Sequence, residues 1–236
     1  MNQKIKLIEC PRDAMQGWPH LISTNKKIEY INSLLQVGFD TIDFGSFVSP
    51  KAIPQMADTN EVIRKIKNKK SKTKLLAIIA NERGAQDAVV YDEITYLGFP
   101  FSVSETFQLR NTNSTIDQSL SRVEEIQNLC IKNKKELVVY ISMGFGNPYG
   151  DVYNEEIVFE WVNKLVDMDI KIISLADTVG LATKEQVYQV TKYLVNSLPS
   201  TEIGVHLHSN PNNWKEKVDA ALQAGCKRFD GALKGI

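Results

Sequence analysis

The stretch Lys74-Leu75-Leu76-Ala77-Ile78-Ile79-Ala80 contains six successive apolar residues after its lysine. A run of this kind, without alternating polar positions, is typical of a strand that is buried on both faces, as in a parallel sheet covered by helices. We therefore predict that residues 74–80 form a central strand of an α/β fold.

Strand and helix patterns alternate on either side of this stretch. Seven segments with apolar residues at helical spacing separate eight predicted strands, and helix caps are predicted at Ser114 and at Thr183, where Gln186 completes a capping box. This alternation is the pattern of a (β/α)8 TIM barrel. A doubly wound open sheet is the main alternative, but it ordinarily has fewer strands, and no glycine-rich phosphate loop occurs. The predicted strands cover residues 4–10, 39–44, 74–80, 93–99, 136–142, 170–175, 203–206 and 227–232.

The composition is that of an ordinary globular chain. Of the 236 residues, 43% are hydrophobic and 24% are charged, and 28 Lys and Arg residues balance 28 Asp and Glu residues. We predict one TIM-barrel catalytic domain over residues 1–236, large enough to bury roughly 70% of its unfolded surface. The balanced charge lacks the basic excess expected of a nucleic-acid-binding protein, so no nucleic-acid partner is predicted.

The cysteines and the hydropathy indicate a cytoplasmic enzyme. Cys10, Cys130 and Cys226 are scattered and odd in number, which argues against a disulfide framework. No secretory leader opens the chain and no apolar run reaches the length of a membrane span, so no membrane partner is predicted.

The C-terminal end departs from a complete barrel. The predicted eighth strand is followed only by Leu233, Lys234, Gly235 and Ile236, so no eighth helix follows it. Apolar strand surface would be left uncovered, and we expect either a natural chain that continues further or a homodimer in which a second chain covers that surface.

Polar residues gather at the predicted strand ends. His206 and His208 share one face of a strand because side chains alternate, and two imidazoles make half of a metal site. In a TIM barrel the active site lies at the carboxyl ends of the strands, where residues distant in sequence meet. Singly, each of these residues could form a turn or cap a helix, but together they predict a site. The set comprises Arg12, Asp13, Asp43, Asp177, Thr178, His206 and His208.

The types of these residues indicate metal-assisted chemistry. One carboxylate, Asp13, and two imidazoles leave open positions on a divalent cation for water and substrate. Ligand chemistry alone favours Zn, Mn or Fe. Arg12, beside Asp13, can neutralise an oxyanion or enolate that develops near the metal.

Four blocks of the chain resemble the 3-hydroxy-3-methylglutaryl-CoA (HMG-CoA) lyase family, and the resemblance runs over nearly the whole sequence. The combination of SFVSPK with the downstream PQM is specific within the wider group of metal-dependent barrel lyases and synthases. The blocks are 8–16 (IECPRDAMQ), 41–51 (TIDFGSFVSPK) with 54–58 (PQMAD), 104–107 (SETF) with Asn111, Asn113 and Ser114, and 174–180 (SLADTVG) with 206–208 (HLH).

The resemblance implies a TIM barrel that cleaves HMG-CoA to acetyl-CoA and acetoacetate, an acyl-CoA reaction of ketone-body or leucine catabolism, with Mg²⁺ or Mn²⁺ bound. It implies that Asp13, His206 and His208 ligate the metal and that Arg12 stabilises the enolate of the departing acetyl-CoA thioester. Either Asp13 or a metal-linked histidine such as His206 would be the base. Asp43 would orient Arg12 or the metal's water, and Asp177 would support the active-site network.

Some positions depart from the family's pattern. Asp43 stands where the family usually has Glu, Cys10 where it usually has Gly, and Ser209-Asn210 where it usually has Asp-Thr. The family's reactive cysteine loop and its asparagine ligand would follow Gly235, so we expect the 236-residue polypeptide to be weakly active or inactive. The alternatives are a Claisen-type synthase of the isopropylmalate or homocitrate kind, a lyase for another 3-hydroxyacyl-CoA, and a non-catalytic metal-binding scaffold.

Overall fold

The computed structural model describes residues 4–67 and 71–233, which form a closed barrel of eight parallel strands in sequence order. Within those ranges nine α-helices and one 3₁₀ turn (Pro54–Met56) connect the strands. The strands are β1 (Lys6–Glu9), β2 (Thr41–Ser46), β3 (Lys74–Ile78), β4 (Ile94–Ser102), β5 (Glu136–Ser142), β6 (Ile172–Asp177), β7 (Glu202–Leu207) and β8 (Arg228–Gly231). The helices are α1 (Pro11–Gln16), α2 (Thr24–Leu34), α3 (Thr59–Lys65), α4 (Glu82–Val89), α5 (Glu105–Thr112), α6 (Ile116–Lys132), α7 (Glu155–Asp167), α8 (Lys184–Ser197) and α9 (Trp214–Gln223).

The predicted TIM barrel is confirmed, but the prediction of seven helices is wrong because it omits α1 and α5. Helix α1 begins with Pro11, whose fixed φ suits a first helical turn and whose missing N–H is not needed there. Helix α5 begins after Ser104, whose side chain accepts a hydrogen bond from the backbone N–H of Phe107. The predicted cap at Ser114 is one residue early, since Thr115 caps α6. The Thr183 capping box is confirmed.

Apolar side chains pack in two layers, one between the strands and the helices and one inside the barrel. Strand β3 contributes to both, because Leu75 and Ala77 pack toward the helices and Leu76 and Ile78 pack inside. This alternation explains why the stretch at 74–80 is apolar at every position after its lysine. The inner layer consists of Leu76, Ile78, Tyr96, Val138, Tyr140 and Ile172.

Part of the barrel's outer face is not covered by a helix of the described residues. A groove of about 680 Å³ runs along this face and is lined by Leu7, Leu207 and Phe229 of three strands and by Trp214 of α9. Leu7 is 53% exposed and Trp214 is 51% exposed. The groove is the uncovered strand surface expected from the sequence.

The three cysteines are buried and form no disulfide, as their scattered positions predict. Across residues 4–67 and 71–233, no helix combines the length and the apolar character needed to cross a bilayer.

Gly84 lies where α4 passes close to the backbone of the loop after β2. A Cβ at this position would lie 2.6 Å from the carbonyl oxygen of Phe47, which is backbone and cannot turn aside. We expect Gly84→Ala to lower the free energy of unfolding by about 1–3 kcal/mol, although alanine is the better helix former. Urea unfolding followed by circular dichroism measures the change. Gly17→Ala is the control, because no atom lies within 4 Å of its Cβ position, and equal losses in the two variants would contradict the argument.

Candidate active site

The three predicted metal ligands meet at the carboxyl end of the barrel. Asp13 lies in α1 directly after β1, His206 lies in β7, and His208 follows that strand. Asp13 Oδ2 is 3.1 Å from His206 Nε2 and 3.6 Å from His208 Nε2, and the two imidazole nitrogens are 3.2 Å apart. One ligand atom from each residue lies within 4.8 Å of the other two. The fold therefore brings together one carboxylate and two imidazoles that a single cation can share.

The ring of His208 is held so that one nitrogen faces this point. Its Nδ1 donates a hydrogen bond to the carbonyl oxygen of Thr178 at 2.9 Å. A carbonyl oxygen can only accept, so the proton of the neutral ring sits on Nδ1, and Nε2 carries a lone pair. A backbone acceptor behind the ring is a common way to orient a metal-binding histidine. The donor set and its orientation fit a divalent cation.

Arg12 lies beside these three residues, and four of the N–H groups of its guanidinium donate hydrogen bonds. Its Nη1 donates to Asp13 Oδ1 at 2.9 Å and to Gln16 Oε1 at 3.0 Å. Its Nε and Nη2 donate to Asp43 Oδ2 at 3.0 and 2.6 Å. A guanidinium has five N–H donors, so among the described residues one N–H of Nη2 is left without a partner. Arg12 is thus fixed in orientation and retains one N–H that is not used by these contacts.

The charges of the site determine which groups are ionised. Burial opposes ionisation of Asp13, but the Arg12 guanidinium and the neighbouring imidazoles outweigh it and hold the pKa of Asp13 well below its usual range. Burial likewise opposes charge on His206, whereas its contact with Asp13 raises the pKa of His206 above the ordinary value. Burial raises the pKa of Asp43 to about 6 despite the opposing effect of Arg12. Asp13 is therefore a carboxylate at neutral pH, the state in which it can bind a cation.

Asp177 faces away from the metal ligands, because residues of β6 alternate and its side chain turns toward α9. Its Oδ2 accepts a hydrogen bond from Lys217 Nζ at 2.6 Å, and both side chains are 2% exposed. Its Oδ1 accepts from the backbone N–H of Ala182 at 3.1 Å. Lys217 also donates to the carbonyl oxygens of His208 at 3.1 Å and Gly180 at 3.2 Å. Asp177 therefore reaches the site through Lys217, which holds the backbone of His208.

The sequence analysis missed three side chains around the site, namely Gln16, Lys217 and Asp230. Gln16 and Lys217 lie in helices, whereas the site was predicted only from polar residues at the ends of strands. Lys217 shares the buried face of α9 with alanines, and a lysine on such a face is the signal that was available. Asp230 is the register partner of His206 in the neighbouring strand, so strand alternation would have placed it beside the site.

Cys10 lies between β1 and α1 and is fully buried. Burial, together with the carboxylates of Asp230 and Asp43, raises the pKa of the Cys10 thiol well above its ordinary value. A thiol that stays protonated is a poor nucleophile. Cys10 therefore does not replace the reactive cysteine of the family.

Comparison with known proteins agrees with this geometry. A family model described as HMGL-like matches residues 4–236. The chain belongs to the HMGL-like family. Its relatives include hydroxymethylglutaryl-CoA lyase YngG of Bacillus subtilis, which is 32% identical over 229 residues that cover 96% of this chain and 75% of YngG. The cytoplasmic 3-hydroxy-3-methylglutaryl-CoA lyase of Rattus norvegicus is 31% identical over 239 residues, covering 100% of this chain and 68% of that protein.

Solved structures of HMG-CoA lyases share the fold of this member of the HMGL-like family. The Bacillus subtilis enzyme superposes with a TM-score of 0.91 at 32% identity, covering 97% of this chain and 76% of that one. An Acinetobacter baumannii HMG-CoA lyase in complex with coenzyme A and 3-methylmalate superposes with a TM-score of 0.90 at 34% identity, covering 98% and 75%. These likenesses confirm the family that the sequence blocks predict.

The buried Asp177–Lys217 pair offers a test of how the site is held. We expect Lys217→Met to lower the free energy of unfolding by about 3–5 kcal/mol, because it leaves a buried carboxylate without its counter-charge. Urea unfolding measures the loss. The control is Lys164→Met, because Lys164 pairs with Glu160 on the exposed surface, where about 0–1 kcal/mol is expected. Adding Asp177→Leu should recover part of the loss. A Lys217→Met variant as stable as the control would contradict the assigned role.

Proposed function

We propose that the barrel formed by this chain is the catalytic domain for the divalent-metal-dependent cleavage of HMG-CoA to acetyl-CoA and acetoacetate. The observation that carries the proposal is the convergence of Asp13, His206 and His208 on one point with Arg12 beside them. Membership of the HMGL-like family and the names of the relatives support it. Coenzyme A in the Acinetobacter baumannii structure supports an acyl-CoA substrate. The Claisen-type synthase, the lyase for another 3-hydroxyacyl-CoA and the non-catalytic scaffold gain no comparable support.

Asp13, His206 and His208 would hold the cation, and Mg²⁺ or Mn²⁺ is the proposed occupant. When bound, such a cation makes a hydroxyl that it polarises more acidic and stabilises negative charge that develops on oxygen.

The chain's own residues handle the proton of the substrate's 3-hydroxyl. As that O–H bond breaks, its electron pair forms the new ketone, the C2–C3 bond breaks, and the pair from that bond forms the enolate of acetyl-CoA. The enolate then takes up one proton at carbon, so protons and electrons balance. The carboxylate of Asp13 has lone pairs beyond the one that it would give to the cation, so Asp13 would accept this proton, whereas His206 Nε2 would be occupied by the cation.

Arg12 and Asp43 act together on the developing charge. The N–H of Arg12 Nη2 that has no partner among the described residues would donate to the thioester oxygen as the enolate forms. Asp43 accepts from both Nε and Nη2 of Arg12 and so fixes the plane of the guanidinium. Asp177 contributes indirectly, by holding Lys217 against the backbone of His208.

A cytoplasmic location belongs to the same proposal. It is supported by three buried cysteines that form no disulfide and by the relative in Rattus norvegicus, a cytoplasmic HMG-CoA lyase.

Product analysis tests the reaction itself. We expect the protein expressed from its complete gene to release acetyl-CoA and acetoacetate from HMG-CoA when Mg²⁺ or Mn²⁺ is present. Chelation with EDTA should abolish turnover and added Mn²⁺ should restore it, because the cation supplies the electrophile. Mass spectrometry of the products is the measurement. Acetyl-CoA incubated with a panel of 2-oxo acids is the parallel reaction, and release of free CoA there without cleavage of HMG-CoA would favour the synthase.

Substitution of Arg12 tests its part in the chemistry. Arg12→Lys keeps the charge but cannot preserve the fork of donors to Asp13 and Asp43. We expect kcat to fall about 100- to 1,000-fold, the cost of losing one donor to a developing oxyanion, with little change in KM. Arg64→Lys, at an exposed position of α3, is the control and should leave both constants unchanged. An Arg12→Lys variant that raised KM alone would contradict stabilisation of the enolate.

A further inference from the structure

His206 has two ring nitrogens, and the site described above uses one of them. The other, Nδ1, is buried and forms no hydrogen bond within the described residues. Asp230 Oδ2 lies 3.9 Å from it, and Asp230 Oδ1 is also buried without a hydrogen-bond partner in that part of the chain. Buried polar groups without partners carry a desolvation cost, and buried polar groups in native proteins are almost always paired. The unpartnered Nδ1 of His206 therefore faces a buried carboxylate oxygen, Asp230 Oδ2, whereas Asp230 Oδ1 lies toward Arg228 Nε.

The strand register keeps Asp230 in this place. Strands β7 and β8 run parallel, and His206 and Asp230 are direct partners in their register. The side chain of Asp230 is fully buried inside the barrel. Ser174 Oγ donates to Asp230 Oδ2 at 3.4 Å, and the ring of Tyr140 packs edge-on against His206 with 5.9 Å between the ring centroids. Both partners are thus confined to the same small space, and a shift of about 1 Å brings them within hydrogen-bond distance.

We propose that Asp230 is a positioning residue that accepts the Nδ1 proton of His206 and so leaves Nε2 free to bind the metal. The inference rests on the proposed function, because it assigns a second layer to the same metal site. A neutral imidazole carries one proton, and a proton on Nδ1 exposes the lone pair of Nε2 toward Asp13. His208 uses the carbonyl oxygen of Thr178 for the same purpose. Each metal-binding ring thus has its own acceptor.

The charge of Asp230 is balanced within the barrel. Arg228 is fully buried, and its Nε lies 3.7 Å from Asp230 Oδ1. Its Nη1 donates to Glu202 at 3.2 Å. A buried carboxylate requires a counter-charge of this kind, and Arg228 supplies it from the side opposite His206. Glu202 therefore shares Arg228 with Asp230, but its side chain pairs with Arg228 and Lys6 and not with His206, which makes it a matched control position.

Binding of Mn²⁺, followed through the electron paramagnetic resonance signal of the free ion, tests the assignment. We expect Asp230→Asn to weaken Mn²⁺ binding about 10- to 100-fold, the range found when the acceptor behind a metal-binding histidine is lost. Glu202→Gln, which disturbs the pairs with Arg228 and Lys6 but leaves Asp230 in place, should bind Mn²⁺ as the wild type does. If Asp230→Asn also binds like the wild type, the inference is overturned. If the wild type itself fails to bind Mn²⁺, the proposed metal site fails, and that result is distinct.

A second measurement tests the hydrogen bond between His206 Nδ1 and Asp230 in the wild type, so it applies even if the Asp230→Asn variant does not fold. The chain contains three histidines, so ring N–H signals are few in a proton NMR spectrum of the Mg²⁺-saturated wild type. We expect the Nδ1–H of His206 downfield of the amide region and protected from exchange with solvent, because it is buried and bonded to a carboxylate. A His206 ring whose N–H exchanges freely, or whose proton sits on Nε2, would overturn the inference.

Discussion

Parallel pairing of the first strand with the last closes this molecule and creates its site. Lys6 pairs with Arg228 at one end of the seam, and Glu9 pairs with Gly231 at the other. Only with the ring closed does Asp13, which follows β1, come within 3.1 Å of His206, which lies 193 positions later in the sequence. No local element could bring these groups together, so the chemistry of the site is a property of the complete barrel.

Most of the charged groups within and beside the barrel mouth are buried and paired. Arg12 is held by Asp43, Lys217 by Asp177, and Arg228 by Glu202. The cost of removing such groups from water offsets much of their mutual attraction, so they are weak sources of stability. What they provide is orientation, because each fixes a side chain or a backbone segment that borders the proposed metal ligands. The site depends on this layer for its shape as much as on the ligands themselves.

The fold and the centre of the site could be predicted from the sequence because both follow from simple rules of alternation. The apolar stretch at 74–80 indicates a strand that is buried on both faces. The spacing of His206 and His208 predicts two imidazoles on one face of a later strand. Asp177 shows where such reasoning stops. It was placed at a strand end, but the alternation within β6 directs its side chain outward to Lys217, and an ion pair between a strand and a later helix has no local signal. The predicted cap at Ser114 was wrong because Thr115 offers the same chemistry one residue later.

The barrel is closed by the pairing of two short strands, β1 and β8. Each of these strands has four residues, so the ring is joined there by few backbone hydrogen bonds. A cation shared by Asp13, His206 and His208 would span this junction like a removable cross-link between the two ends of the polypeptide. Its binding free energy would then add to the cohesion of the barrel through mass action. The occupancy of the cation site and the stability of the closed barrel would therefore increase or decrease together.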